Sequence, residues 1–425
     1  MLKKVLIFAI LSFILFSSFS FTTNAFDIGS SDGTVEAYYL FDTNHNLLMV
    51  SENADTLISP SSTTKIMTAC IVLESNIDIN QEITVTKKML SNISGRKMFL
   101  NEGDILTVED LLYAMLCGGY NDATQILALT ISQTLNDFTK KMNEKAISLG
   151  MKNTKYLNPS GVDQSGMYTT VNDISKLVKH MANNQFFLDI CSTKSYKLST
   201  NSVCNSAIIT NRSALITEYK GLSNFNVGSS DSGDCTVVFY KTDELSLISI
   251  VMNAKANFEN DSINYAEKLT KKLISYAINS YSTQTIKKQN EIIISLPVKY
   301  STSSQKVNVY LQEDLNIFLS NDIDINSDLT FSVFIKNDEL IAPLKQGDVV
   351  GSLTVFYDGI LLSSIPLIVK ETIEKNRFLY SMDLIKQFIL SKTFVIILIL
   401  FLTLIICYHK SSKHKFRKKK RKTRH

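Results

Sequence analysis

The sequence predicts an α+β domain built around one antiparallel sheet, a small all-β domain after it, and a C-terminal transmembrane helix. Three observations carry this. Strand-like hairpin patterns stand at both ends of the first 280 or so residues, with helical periodicity between them. From Glu291 onward the periodicity changes to short alternating runs. Near the C-terminus, Phe394 to Tyr408 is apolar on every face and bracketed by Lys392 and Lys410. A chain of 425 residues has room for two domains and a sizeable core.

In chain order, Lys3-Lys4, the apolar run Val5 to Phe16 and Thr23-Asn24-Ala25 read as a signal peptide cut after Ala25. Thr34 to Asp42 and Leu47 to Val50 flank Thr43-Asn44-His45-Asn46 as a β-hairpin. Pro60 and a run of hydroxyl residues then precede Ile66 to Leu73, which is how a helix starts: a hydroxyl cap, then a buried face. That helix is expected from about Ser61. Thr107, with Glu109 and Asp110 in the first turn, opens a helix that stops at Gly118-Gly119, and another begins near Asp122.

Phe138 to Leu149 is amphipathic and ends at Gly150, and Thr170 caps Val171 to Met181. Cys235 to Tyr240 and Leu245 to Met252 form a second hairpin, and Ile263 to Ile278 a long amphipathic helix. Ser280 to Asn290 is polar and linker-like. The strands expected beyond it are Ile292–Ser295, Lys306–Leu311, Leu329–Ile335, Val349–Phe356 and Ile360–Val369.

Charge sorts the compartments. His409 to His425 holds ten Lys/Arg and no acid, which places this tail in the cytoplasm and everything before the span outside the cell membrane. The tail also accounts for the net charge of +4, because the rest has 34 Lys/Arg against 40 Asp/Glu. The basic excess therefore argues for anionic lipid and against nucleic acid as a partner. Cys70, Cys117, Cys191, Cys204 and Cys235 precede the span and Cys407 lies within it. Their spacing gives no metal pattern and no closed disulfide framework, so buried free thiols are preferred over a Cys191–Cys204 bridge. With no His/Cys/Asp cluster at ligand spacing, the sequence implies no metal and no organic cofactor.

The chemistry centres on Ser59-Pro60-Ser61-Ser62-Thr63-Thr64-Lys65. Ser62 and Lys65 stand one helical turn apart. An alcohol and a desolvated amine so placed act as nucleophile and base, and the free N–H groups of a first turn stabilise an oxyanion. The spacing alone also describes a capping serine and a surface lysine. It recurs as Ser94…Lys97, Ser303…Lys306 and Ser412…Lys415, none of which precedes an apolar helical run.

A series of segments, in order, resembles the low-molecular-mass penicillin-binding proteins, serine D-alanyl-D-alanine carboxypeptidases of peptidase family S11. Ser61 to Thr68 is similar to their nucleophile block. Leu100 to Asp104 with Thr107 to Tyr113, Tyr120-Asn121-Asp122-Ala123, Met142 to Ala146, Leu149 to Thr154 and Asn158 to Asp163 follow. Ile341 to Leu344 and Gly347 to Gly351 resemble the C-terminal β domain. The resemblance implies a β-lactamase/transpeptidase-like domain over residues 30–280 and a β domain over 291–372. A linker over 373–392, a span over 393–408 and a basic tail over 409–425 complete the chain, after a signal peptide at 1–25. It also implies a peptidoglycan stem peptide ending in D-Ala-D-Ala as substrate, β-lactams as ligands, and acylation of Ser62 with Lys65 taking its proton.

The chain departs from that pattern at named positions. Gly119 stands where the Ser-x-Asn serine belongs, though Asn121 remains. Asn226-Val227-Gly228 stands where Lys-Thr-Gly belongs, with Ser229 next. The family lysine helps depress the pKa of the base and, with the threonine, holds the substrate carboxylate. The replacements imply weakened activity, or a catalytically impaired wall-peptide or partner-binding module. Lys220 and Lys255 are the candidates for a compensating cation.

Overall fold

The first described strands already show the domain's logic. In the computed structural model, which describes residues 33–199, 208–257, 264–303, 306–337 and 339–422, β1 (Ala37–Asp42) and β2 (Leu47–Glu52) pair as an antiparallel hairpin. β3 (Leu222–Ser230), β4 (Gly233–Lys241) and β5 (Ser246–Ala256) come from the other end of the domain. Pairing of β5 with β1 closes the sheet in the order β2-β1-β5-β4-β3, with the short strand Gly33–Thr34 also on β5. The signal peptide expected over 1–25 lies outside the described residues.

Period-two alternation assigns one sheet face to the helices. Ala37, Tyr39, Phe41, Val237, Phe239, Ile248, Ile250 and Met252 share a single core with helical residues. The helices are α1 (Thr64–Glu74), α2 (Val108–Leu116), α3 (Asn121–Ile131), α4 (Leu135–Ser148) and α5 (Val171–Met181). Thr107 and Asp110 form the expected reciprocal capping box, and Thr170 caps α5 by accepting from the Asp173 N–H. α4 is followed by Gly150 at φ +74°, the left-handed stop. α6 (Tyr265–Ser280) buries Leu269, Leu273, Ile274 and Ala277, one stripe at helical spacing.

α1 departs from expectation at its start. Ser61–Thr63 forms a 3₁₀ turn and the α-helix begins at Thr64, with no side-chain cap at either junction. Thr63 Oγ1 instead donates back to the Pro60 carbonyl at 2.5 Å. The hydroxyl run is spent on shaping the turn.

The second unit, from Ser280, is mostly strand. β6 (Tyr281–Lys287), β7 (Ile294–Lys299), β8 (Lys306–Leu311), β9 (Leu315–Ser320), β10 (Leu329–Ile335), β11 (Val349–Tyr357) and β12 (Ile360–Val369) enclose their own core. The larger sheet runs β10-β11-β12-β8-β7 and then the short Leu340–Ile341, and β6 pairs with β9.

One linker expectation is corrected, and the segment expected to join the β domain to the span is partly helical. Ser280–Asn290 contains β6, because Tyr281 and Ile286 bury while the Ser, Thr and Gln between them suit a pleated surface. Within 373–392 lies the helix α7 (Arg377–Ile389), capped by Asn376, with Leu379, Met382 and Ile385 exposed. The following α8 (Lys392–Lys422) contains Lys392–His409, which is long and apolar enough to cross a membrane. Cys70, Cys117, Cys191 and Cys235 are buried and free, and Cys204 lies outside the described residues.

Candidate active site

Ser62 sits in the 3₁₀ turn, and that turn is wedged. Ser61 takes a left-handed φ of +46°. Opposite it, Gly161 (φ +78°) lies so close that a Cβ there would stand 1.7 Å from the Ser61 carbonyl oxygen. The Asn158–Gly161 turn is tied by its own side chain, since Asn158 Oδ1 accepts from the Gly161 N–H at 2.8 Å. Gly161→Ala is expected to destabilise the domain by about 2–4 kcal/mol, from left-handed strain plus overpacking. Denaturant unfolding of the full chain in detergent checks it.

The same turn holds the base candidate. Lys65 is 4% exposed, and its Nζ donates to the Ser160 carbonyl at 2.8 Å. Thr68 Oγ1, one turn on, donates to the Pro159 carbonyl at 2.6 Å. Burial, and then the nearby positive charge of Arg212, pulls the Lys65 pKa down to about 7. A good fraction of the amine is therefore neutral at neutral pH.

β3 forms the opposite wall. A Cβ on Gly228 would lie 2.7 Å from both Cβ and Oγ of Ser62, so the strand passes against the hydroxyl. Gly228→Ala is expected to cut acylation by about 100-fold through displacement of Ser62, measured as the rate of fluorescent-penicillin labelling. Asn226 points to the same face by strand alternation, with its Nδ2 3.7 Å from that Cβ position and without a partner. Val227 is buried and turned to the other face, so it offers its carbonyl to the site and not its side chain. Ser229 lies at the exposed end of the strand, where its hydroxyl donates to Asp234 Oδ1 at 2.5 Å and Asn264 Nδ2 donates to the Gly228 carbonyl at 3.2 Å.

Gly119 and Asn121 come from the turn between α2 and α3. Asn121 is buried; its Nδ2 donates to the Ser94 carbonyl at 2.8 Å and its Oδ1 has no partner. Gly119 holds φ +71°, which a serine would occupy only with strain. A side chain there would also meet Arg212, whose Cδ and Nη1 are 3.2 Å from the Cβ position.

Arg212 is the residue that sequence reasoning missed. Its Nη1 donates to the Val227 carbonyl at 2.8 Å, so the guanidinium bridges the Gly119 turn and β3. Asn211, beside it, is locked by bonds to the Cys191 and Thr193 carbonyls and to Asn224 Nδ2. Arg96 lies close as well: its Nε donates to the Gly118 carbonyl at 2.8 Å and its guanidinium stacks 5.0 Å over Tyr120. Lys220 and Lys255, the compensating cations considered from sequence, are both exposed. Nothing local marks Arg212, because only tertiary pairing of distant segments brings it here.

Away from this cleft, Cys70, Glu74 and His180 converge within 4.8 Å, a grouping their spacing did not announce. Lys145 Nζ and His180 Nε2 each lie 2.7 Å from Glu74 Oε1, so ammonium and imidazole already share that carboxylate.

Comparison with known proteins accords with this architecture. Residues 25–256 match the D-alanyl-D-alanine carboxypeptidase family model, and residues 281–375 match that of the penicillin-binding protein 5 C-terminal domain. The D-alanyl-D-alanine carboxypeptidase DacF of Bacillus subtilis (strain 168) is 26% identical over 338 residues, 78% of this chain and 84% of the relative. DacC of Escherichia coli (strain K12), named likewise, is 27% identical over 382 residues, 85% and 90% of the two chains. Penicillin-binding protein 5 from Haemophilus influenzae shares the fold at a TM-score of 0.56 and 23% identity, covering 81% of this chain and 98% of its own. The Streptomyces K15 DD-transpeptidase aligns at a TM-score of 0.52 and 26% identity, covering 57% of this chain and 97% of its own. With the family model spanning more than half its length, this chain belongs to the D-alanyl-D-alanine carboxypeptidase family.

Proposed function

We propose that this protein is a membrane-anchored serine D-Ala-D-Ala carboxypeptidase acting on peptidoglycan stem peptides through an acyl-enzyme on Ser62. The observation that carries the reading is the buried Lys65 amine, with a pKa of about 7, one turn from a serine pressed against β3. Neutral Lys65 takes the Ser62 proton as Oγ attacks the carbonyl between the two terminal D-alanines. Backbone N–H groups of Ser62 and Ser229 face the developing oxyanion. Collapse of the tetrahedral species breaks the peptide bond and releases D-alanine, whose nitrogen takes the proton back. Water then attacks the ester, returning Ser62. Asn121 orients the substrate amide. β-Lactams present a strained amide to the same hydroxyl and acylate it. Incubating the full chain in detergent with a D-Ala-D-Ala peptide and measuring free D-alanine tests the reading, and no release from folded protein would sink it.

A second reading, a wall-peptide-binding module with little turnover, is favoured by one feature. Asn226 and Val227 supply neither the ammonium nor the hydroxyl that the family pattern places there. Stem-peptide binding without D-alanine release would establish it.

The proposed layout is a signal peptide at 1–25, the catalytic domain over 30–280, the β domain over 291–372, and a span at 393–408. The apolar helix and the basic run after it support a catalytic domain outside the cell membrane and a cytoplasmic tail. Protease added to intact protoplasts is expected to digest Asp27 to Lys392 and spare a small C-terminal fragment. Loss of that fragment would reverse the orientation.

A further inference from the structure

We propose that Cys70, Glu74 and His180 form a structural zinc site that clamps the ends of α1 and α5, at the far end of α1 from the nucleophile turn.

Local geometry comes first. Cys70 and Glu74 stand four residues apart and so share one face of α1. His180, in the last turn of α5, meets that face from the neighbouring helix. It lies 106 residues from Glu74 in the chain, so no spacing rule finds it. The Cys70 Sγ, a Glu74 carboxylate oxygen and a His180 ring nitrogen all lie within 4.8 Å of one another. Tetrahedral zinc, with bonds of about 2.0–2.3 Å, sets its ligand atoms roughly 3.3–3.8 Å apart. The His180 Nε2–Glu74 Oε1 separation of 2.7 Å opens and the thiol closes in, each by about an ångström. Rotamer adjustment at Glu74 and His180, both half-exposed, supplies that movement. A thiolate, an imidazole and a carboxylate make a donor set that suits zinc, whereas calcium and magnesium take oxygen.

Room comes second. A cavity of about 230 Å³ opens onto the three groups, walled otherwise by Leu73, Met181, Asn183 and Asn184. The asparagine amides are engaged elsewhere: Asn183 Nδ2 donates to the Lys179 carbonyl, and Asn184 Oδ1 accepts from the Phe187 N–H. The fourth position is left to water, which a cavity of this size admits.

Charge comes third. α1, α4 and α5 all end here, since Glu74, Lys145 and His180 stand in their last turns and meet. Helix C-termini carry partial negative charge, and three of them favour a cation. The Lys145 ammonium fills that role in the structure, 2.7 Å from Glu74 Oε1. A zinc ion with one thiolate carries the same net charge of about +1, so the exchange is electrostatically even. Binding releases the Cys70 proton to solvent, and the long Lys145 side chain swings its ammonium into water. Glu74 is nine residues from Lys65, two and a half turns at about 3.6 residues per turn. The metal therefore lies on the opposite side of α1 from the base and touches no reacting atom; it staples helices.

The test uses the full chain in detergent, with thiols reduced and metals stripped by a chelator that is then dialysed away. Cobalt(II) is the probe, because a bound thiolate gives it a charge-transfer band in the near ultraviolet, and zinc displaces it to give the affinity. Wild type is expected to take up one cobalt per chain with that band and to bind zinc at about micromolar or tighter. Its unfolding temperature should rise when zinc is added. His180→Gln, at a half-exposed position, should keep the fold and weaken zinc at least about 100-fold. Cys70→Ser should lose the band. Lys145→Met removes the competing cation and should tighten zinc several-fold. Folded wild type without the band, or a band that persists in both Cys70→Ser and His180→Gln, would overturn the site. Zinc bound no more tightly by Lys145→Met would overturn the exchange with the ammonium.

Discussion

Ser62→Ala is expected to lower D-alanine release at least about 10⁴-fold, because removing a nucleophile leaves only binding and oxyanion stabilisation to act on the substrate. The same change should abolish fluorescent-penicillin labelling. It should also leave stability within about 0.5 kcal/mol, since the hydroxyl donates to and accepts from no described group and is only half-buried. That pairing separates chemistry from folding: a thermal unfolding midpoint close to wild type with no label assigns the loss to the missing oxygen. Labelling that survives, at Ser94 or elsewhere, would move the nucleophile.

Lys65→Met is expected to reduce the acylation rate by about 10²–10⁴-fold, the usual worth of a positioned general base. The pH dependence gives the sharper signature. The free amine is the active form, and its folded pKa of about 7 lies well below the ordinary lysine value because burial and then Arg212 disfavour the charge. Acylation by wild type should therefore fall up to about tenfold for each pH unit below 7 and level off above it. Removing Arg212 takes away a positive neighbour, so its pKa rises and the midpoint moves to higher pH. In Lys65→Met the midpoint should vanish, and stopped-flow labelling between pH 5 and 9 reads all three curves. A wild-type profile flat through pH 7 would show that Lys65 is not the base.

What the sequence made legible follows from which forces are local. Thr107 with Asp110, and Thr170 with Asp173, form caps within four residues, so their helices could be read directly. Alternation in Cys235–Tyr240 and Leu245–Met252 likewise announced the β4–β5 pair. Ser62 and Lys65 were found because their spacing and the apolar run after them share one segment. The 3₁₀ turn around Ser62 was not legible, because the Asn158–Gly161 turn some 100 residues later shapes it. The Ser280–Asn290 stretch looked like a linker because its apolar residues are sparse, yet pairing with β9 makes it a strand. Arg212 shows the limit most clearly. Read residue by residue, Gly119, Asn226 and Val227 describe a site stripped of its cation. In space, an arginine from the segment before β3 fills the room the glycine leaves.

The central claim is that Ser62, activated by buried Lys65, is an acylatable nucleophile in this chain as it stands. Mass spectrometry of the full-length protein after incubation with benzylpenicillin at pH 8, followed by peptide mapping, tests it most directly. One penicilloyl group per chain on the peptide containing Ser62 is the expected result. A folded chain that remains unmodified, or carries the adduct on any other residue, would contradict it.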